Sequence, residues 1–138
     1  MLDKKIVFVV DDDVAVLRSL GRLLNASGFS AEVFESAEAF SESADTDHGL
    51  CVVLDVNLKE SCGIELRRRL AASGSTLPVI FVTANDSEYV RRTAIDAGCV
   101  AYLRKPFPAK SLFDAIRLAV QRPEQQLLEK GIKGLFGN

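Results

Sequence analysis

Six side chains in this sequence have types that could do chemistry together: Asp11, Asp12, Asp13, Asp55, Thr83 and Lys105. Each also has an ordinary role. An aspartate after an apolar run often caps the helix that follows, and Asp13 fits that role ahead of Val16 and Leu17. A Thr after a strand is commonplace, and a lone Lys before Pro is usually a solvated loop residue. As a set they point somewhere narrower. Carboxylates held within a few ångström repel, so one must be protonated or a cation must join them. An open, all-oxygen site suits Mg²⁺, which keeps several waters and binds through one or two carboxylates plus phosphate. A carboxylate can attack a phosphoryl group to give an acyl phosphate. That transfer needs positioning and neutralised charge above all. Mg²⁺ could hold one phosphoryl oxygen, Lys105 a second, and Thr83 with a backbone N–H a third. The small Ala84 would keep the space above Asp55 open.

Whether these groups meet depends on the elements that carry them. Lys5 to Val10 is a continuous β-branched and aromatic run that stops at the three aspartates. Val16, Leu17, Leu20, Leu23 and Leu24 then repeat at helical spacing, with Gly28 as a stop. Ala31 to Phe34 reads as a short, partly polar strand, and Ala37 to Ser43 as a weak helix. Leu50 to Leu54 is apolar throughout, as a strand covered on both faces should be. Gly63 to Ala72 reads as a helix with Ile64, Leu66 and Leu70 inward and Arg67, Arg68 and Arg69 solvated. Pro78 to Val82 is a further buried strand, and Val90, Ala94 and Ala97 mark a helix ending at Gly98. Val100 to Leu103 is a last short strand, before a helix opened by Pro108 and marked by Leu112, Phe113, Ile116 and Val120. Strand and helix alternating in this way predict an α/β fold, a doubly wound parallel sheet with helices on both faces. For five strands the common flavodoxin-like order is 2-1-3-4-5, and ligands then bind outside the carboxyl ends of the strands. Under that order Asp11, Asp12, Asp55, Thr83 and Lys105 line one edge of the sheet.

The bulk properties exclude more than they suggest. Seventeen Lys and Arg against nineteen Asp and Glu leave a net charge of −2, which gives no case for direct nucleic-acid binding. No apolar run approaches the roughly 20 residues that span a bilayer, and the N-terminal residues lack a secretory signal's apolar stretch. Cys51, Cys62 and Cys99 have no metal-site spacing and read as buried free thiols, which suits a reducing cytoplasm.

At the motif level the sequence resembles the receiver domain of bacterial two-component response regulators, a CheY-like superfamily. The resemblance is carried by Val9-Val10-Asp11-Asp12-Asp13, by Val53-Leu54-Asp55-Val56-Asn57 with Gly63 beyond it, by Val82-Thr83-Ala84, and by Tyr102-Leu103-Arg104-Lys105-Pro106-Phe107. It implies a phosphoacceptor signalling domain that catalyses only its own phosphorylation and dephosphorylation. Asp55 would take a phosphoryl group from a sensor histidine kinase or phosphotransfer protein. Asp11, Asp12, Asp55 and the backbone carbonyl of Asn57 would hold Mg²⁺. Lys105 would contact phosphate, Thr83 and Tyr102 would form the switch pair, and Lys105-Pro106 would be a cis peptide. Two departures stand out. Lys59 replaces a common Pro, and Val100 and Ala101 replace an acidic pair that one large subgroup uses to dimerise. A homodimer through that face would need other chemistry, such as the apolar pair itself.

The competing reading is a phosphohydrolase of the haloacid-dehalogenase kind, with Asp11-x-Asp13 as its nucleophile motif and Asp11 as the attacking group. It lacks an acidic pair after Lys105 and leaves Asp55 unexplained. A flavodoxin-like cofactor binder is also disfavoured, because three aspartates in the first loop would repel phosphate. Residues 1–122 are read as the receiver domain and 123–138 as a separate tail. Leu127, Leu128, Ile132, Leu135 and Phe136 make that tail either an amphipathic docking segment or a linker, with Val100 and Ala101 as a candidate docking edge. The tail is too short for a helix-turn-helix output domain, so the chain is a stand-alone receiver or one piece of a longer protein.

Overall fold

The computed structural model describes residues 5–59 and 61–121. Its elements run β1 (Ile6–Val10), α1 (Val14–Ala26), β2 (Ser30–Phe34), α2 (Ala37–Ser43), a 3₁₀ turn (Thr46–His48), β3 (Gly49–Asp55), α3 (Gly63–Ala72), β4 (Val79–Thr83), α4 (Glu88–Ala97), β5 (Ala101–Arg104) and α5 (Ala109–Ala119). The five strands pair in parallel in the order β2-β1-β3-β4-β5, as the alternating pattern predicts.

Successive strand residues face opposite sides of a sheet, so each apolar run feeds two cores. Phe8, Val10, Val52, Leu54 and Phe81 pack with Phe40 of α2, Ile64 and Leu66 of α3 and Ala94 of α4. Val7, Val9, Cys51, Val53, Ile80 and Val82 pack instead with Leu17 and Leu24 of α1 and Leu112 and Ile116 of α5. Both faces are therefore dry, which is why β1, β3 and β4 have no polar alternation. The edge strand β2 is half-buried, and Val33 on it is exposed. The loops turn on local chemistry. Asp13 caps α1 by accepting from the backbone N–H groups of Ala15 (2.9 Å) and Val16 (3.4 Å). Ser36 and Ser87 cap α2 and α4 in the same manner.

Four expectations need correction. Arg67 is not solvated like its neighbours: its Nε donates to the carbonyl of Gly98 at 2.9 Å, pinning the end of α4 to α3. Of the three free cysteines only Cys51 is buried; Cys99 is half-buried and Cys62, at the start of α3, is exposed. Val120 closes α5 on its exposed side. Val100 and Ala101 form no exposed apolar edge, because both are half-buried against the α1/α5 core. The tail reading from Pro123 onward lies outside the described residues.

Candidate functional site

Strand register brings the candidate residues together. Val10 lies opposite Leu54, so Asp11 and Asp55, each one residue further on, emerge side by side. Asp55 lies opposite Val82, which places Thr83 one step beyond it, and Thr83 pairs with Arg104 next to Lys105. The Lys105 N–H then donates to the Thr83 carbonyl at 2.8 Å. Lys105-Pro106 is a cis peptide, as the resemblance implies.

The result is a compact charged cluster. Carboxylate oxygens of Asp11, Asp12 and Asp55 lie within 4.8 Å of one another. Lys105 Nζ bridges two of them, donating to Asp11 Oδ2 at 2.6 Å and to Asp55 Oδ2 at 2.9 Å. The other Asp55 oxygen accepts from the backbone N–H of Asn57 at 2.8 Å, and the other Asp11 oxygen accepts from that of Asp13 at 2.9 Å. The Asp11 and Asp55 side chains are only 2% and 8% exposed, so these bonds act with little screening by water. Burial pushes the Asp55 carboxyl above its ordinary value; the bonds from Lys105 and Asn57 oppose that, and the Asp11 charge adds to it. For Lys105 burial works against the charge, but the bonds to Asp11 and Asp55 outweigh it and hold the ammonium above its ordinary value. Even with its lysine, this cluster carries three carboxylates against one cation. An all-oxygen donor set with half-buried Asp12 at its open side fits a hard divalent cation.

Thr83 is fully buried at the same edge. Its hydroxyl donates to the carbonyl of Asn85 (3.3 Å) and accepts from the Asn85 N–H (3.0 Å) and from Asn57 Nδ2 (3.3 Å). Tyr102 is engaged elsewhere: its hydroxyl donates to Asp86 Oδ1 at 3.1 Å. The phenol is kept protonated by burial first, then by that bond and the Asp86 charge, although Arg91 pulls the other way. Ala84 lines an open, largely apolar groove of about 530 Å³ beside Lys105, with Ala15, Val16, Pro106 and Phe107. Asp13 is spent on its cap, so the Asp11-x-Asp13 pair of the phosphohydrolase reading does not act as one unit.

The sequence names Gly63 in its motif without giving its role, and says nothing of three other residues that matter here. A Cβ at Gly63 would lie 2.2 Å from the Asp55 carbonyl oxygen, so only glycine lets α3 start this close to the end of β3. The Gly63 N–H donates to the Val56 carbonyl at 2.8 Å and closes that loop. Asn85, Asp86 and Arg91 escaped attention because nothing in their spacing ties them to Thr83 or Tyr102.

A doubly wound sheet with an acidic cluster, a lysine and a buried threonine at one edge is a layout suited to phosphoryl chemistry. Residues 7–117 match the family model of the response regulator receiver domain, and the chain belongs to that family. It is 35% identical over 121 residues to the response regulator protein TodT of Pseudomonas putida, covering 88% of this chain and 53% of that protein. It also resembles solved structures of the response regulator StyR (36% identity, TM-score 0.79, 98% of this chain and 70% of that one) and of a response regulator receiver protein from Burkholderia phymatum (41% identity, TM-score 0.70, 87% and 99%). The chain spans about half the length of the curated relatives it matches. It is a receiver domain of two-component signalling, and the phosphohydrolase alternative finds no support among these relatives.

Proposed function

We propose that this domain accepts a phosphoryl group on Asp55 from the phosphohistidine of a sensor histidine kinase or a phosphotransfer protein. The observation that carries the reading is the position of the Asp55 carboxylate, shielded from water, bonded to Lys105 and clustered with Asp11 and Asp12. In the transfer an Asp55 oxygen forms a bond to phosphorus while the donor's P–N bond breaks, its electron pair remaining on the imidazole. Mg²⁺ held by Asp11, Asp12, Asp55 and the Asn57 backbone carbonyl would supply the positive charge that offsets the crowded oxygens. Lys105 releases one Asp55 oxygen and meets a phosphoryl oxygen with its ammonium. Thr83 turns its hydroxyl to another, and the vacated space admits Tyr102, a local charge event biasing a two-state element. The domain is thus a switch that turns over only its own phosphate. Among the described residues no helix is long and apolar enough to cross a membrane. Free cysteines and the partner class suit the cytoplasm.

Incubation with Mg²⁺ and acetyl phosphate should label the protein, and hydroxylamine should release the label. Asp55→Asn should abolish labelling with the fold intact. Labelling that survives Asp55→Asn and is lost in Asp11→Asn overturns the reading in favour of an Asp11 nucleophile.

A further inference from the structure

Three side chains from three elements meet beside the Thr83 loop: Asp86 before α4, Arg91 on α4 and Tyr102 on β5. The Tyr102 hydroxyl donates to Asp86 Oδ1 at 3.1 Å. The Arg91 guanidinium carbon lies 5.5 Å from the centre of the Tyr102 ring, and Arg91 Nε lies 3.7 Å from the same Asp86 oxygen. Each member therefore touches the other two. A bond to an ionised acceptor is roughly twice as strong as a neutral one, and the cation gains further by facing the ring. The Asp86 side chain is 20% exposed against 58% for Arg91, so the carboxylate is better shielded than the cation it faces. Phosphoryl transfer to Asp55 has no use for any of the three as they stand.

The triad is joined to the phosphoacceptor through one hydroxyl. Thr83 donates to the carbonyl of Asn85 and accepts from its N–H, which pins the residue preceding Asp86. A threonine hydroxyl has a single proton. It cannot serve the Asn85 carbonyl and a phosphoryl oxygen at once. Turning that proton toward the phosphoryl group gives up the bond to the Asn85 carbonyl, one of the two that pin the Asn85–Asp86 stretch of the loop, and so loosens it.

We propose that Asp86 is a latch, which holds Tyr102 by its hydroxyl and Arg91 by its charge until Thr83 exchanges the Asn85 carbonyl for the phosphoryl group. The inference rests on the proposed phosphorylation of Asp55 and adds to it a positioning residue that acts through Tyr102. The latch also ties α4 to β5, so its release loosens both together. Its strength sets the fraction of molecules that are switched before any phosphate arrives. The apparent affinity for a phosphoryl group scales with that fraction.

The test uses the full chain carrying fluorotyrosine with Tyr89→Phe, because the sequence has two tyrosines and Tyr89 is exposed. Fluorine NMR then follows Tyr102 alone during titration with beryllofluoride and Mg²⁺. In Asp86→Ala the signal without beryllofluoride should lie part of the way to the saturated wild-type position. The beryllofluoride dissociation constant should fall about fivefold, the low end of typical coupling between sites. Asp86→Asn, which keeps an acceptor oxygen without the charge, should fall between, and Arg91→Ala should shift the same way by less. A residue needed only for stability would lower the melting temperature and leave both readouts in place. Unchanged signal and affinity in Asp86→Ala overturn the latch, as does weaker beryllofluoride binding. If Asp86→Ala does not fold, Asp86→Asn and Arg91→Ala decide by the same two readouts. Wild-type protein that binds no beryllofluoride overturns the phosphoacceptor reading itself, before any latch variant is compared.

Discussion

The proposed transfer needs Asp55 buried, to exclude water from the acyl phosphate, and ionised, to attack, and these demands conflict. Burial raises its pKa above the ordinary 3.8 despite the bond from Lys105. A raised folded-state pKa means that protonated Asp55 favours the folded state, a contribution fully present below the unfolded value and lost as pH rises through the folded one. Without metal, Asp55→Asn should therefore melt above wild type at neutral pH, and the gap should close on acidification into the carboxylate range. Equal melting across that range, in chelator, would show that Lys105 fully compensates the burial. A divalent cation relieves the same conflict. Mg²⁺ at a hundred times its dissociation constant should stabilise wild type by about 2.7 kcal/mol. Asp12→Ala should lose most of that gain and its labelling together, as read by thermal melts and acetyl phosphate incorporation.

The elements matter through how closely they approach. Helix α3 begins against the last carbonyl of β3, and that contact shapes the loop holding Asn57. Gly63→Ala would force a Cβ to 2.2 Å from the Asp55 carbonyl oxygen and 3.2 Å from Leu54 Cγ. The backbone has to move, and overpacking of this kind costs about 1–3 kcal/mol. Urea unfolding should show that loss, with slower labelling because Asp55 moves with its carbonyl. A variant as stable as wild type that labels at full rate would mean α3 can retreat without disturbing the site. At the other end of the sheet Arg67 satisfies the Gly98 carbonyl, and its removal should cost about 1 kcal/mol with labelling unaffected.

At the scale of the molecule, every group placed at the site lies between the end of β1 and the start of α5, and α1 and α5 cover one face of that sheet. All of these groups fall within residues 7–117, which match the receiver family model, and we propose 1–122 as the phosphoacceptor unit. Deleting 123–138 should leave the rate of Asp55 labelling unchanged. Reduced labelling would place part of the phosphoacceptor unit in the tail. On the same samples a lowered melting temperature, or a shifted monomer–dimer balance in sedimentation, identifies the tail as a docking segment, and an unchanged melting temperature and balance identify it as a linker.

The order of elements, the sheet topology and the identity of the clustered carboxylates, threonine and lysine were readable from the chain alone. Apolar runs of strand length report burial on two faces, and helical spacing reports a covered stripe. Both are local patterns with a fixed period, and the parallel order then allows one arrangement of strand ends. The roles of Gly63, Arg67 and Asp86 were not readable. Each depends on how closely two different elements approach: a carbonyl beneath α3, a helix end beside it, a phenol 16 residues away. The same holds for Val100 and Ala101, whose letters match an exposed apolar edge while the packing of α1 and α5 makes them half-buried. Periodicity says which face of an element is covered; only the packed fold decides what covers it and how near it comes.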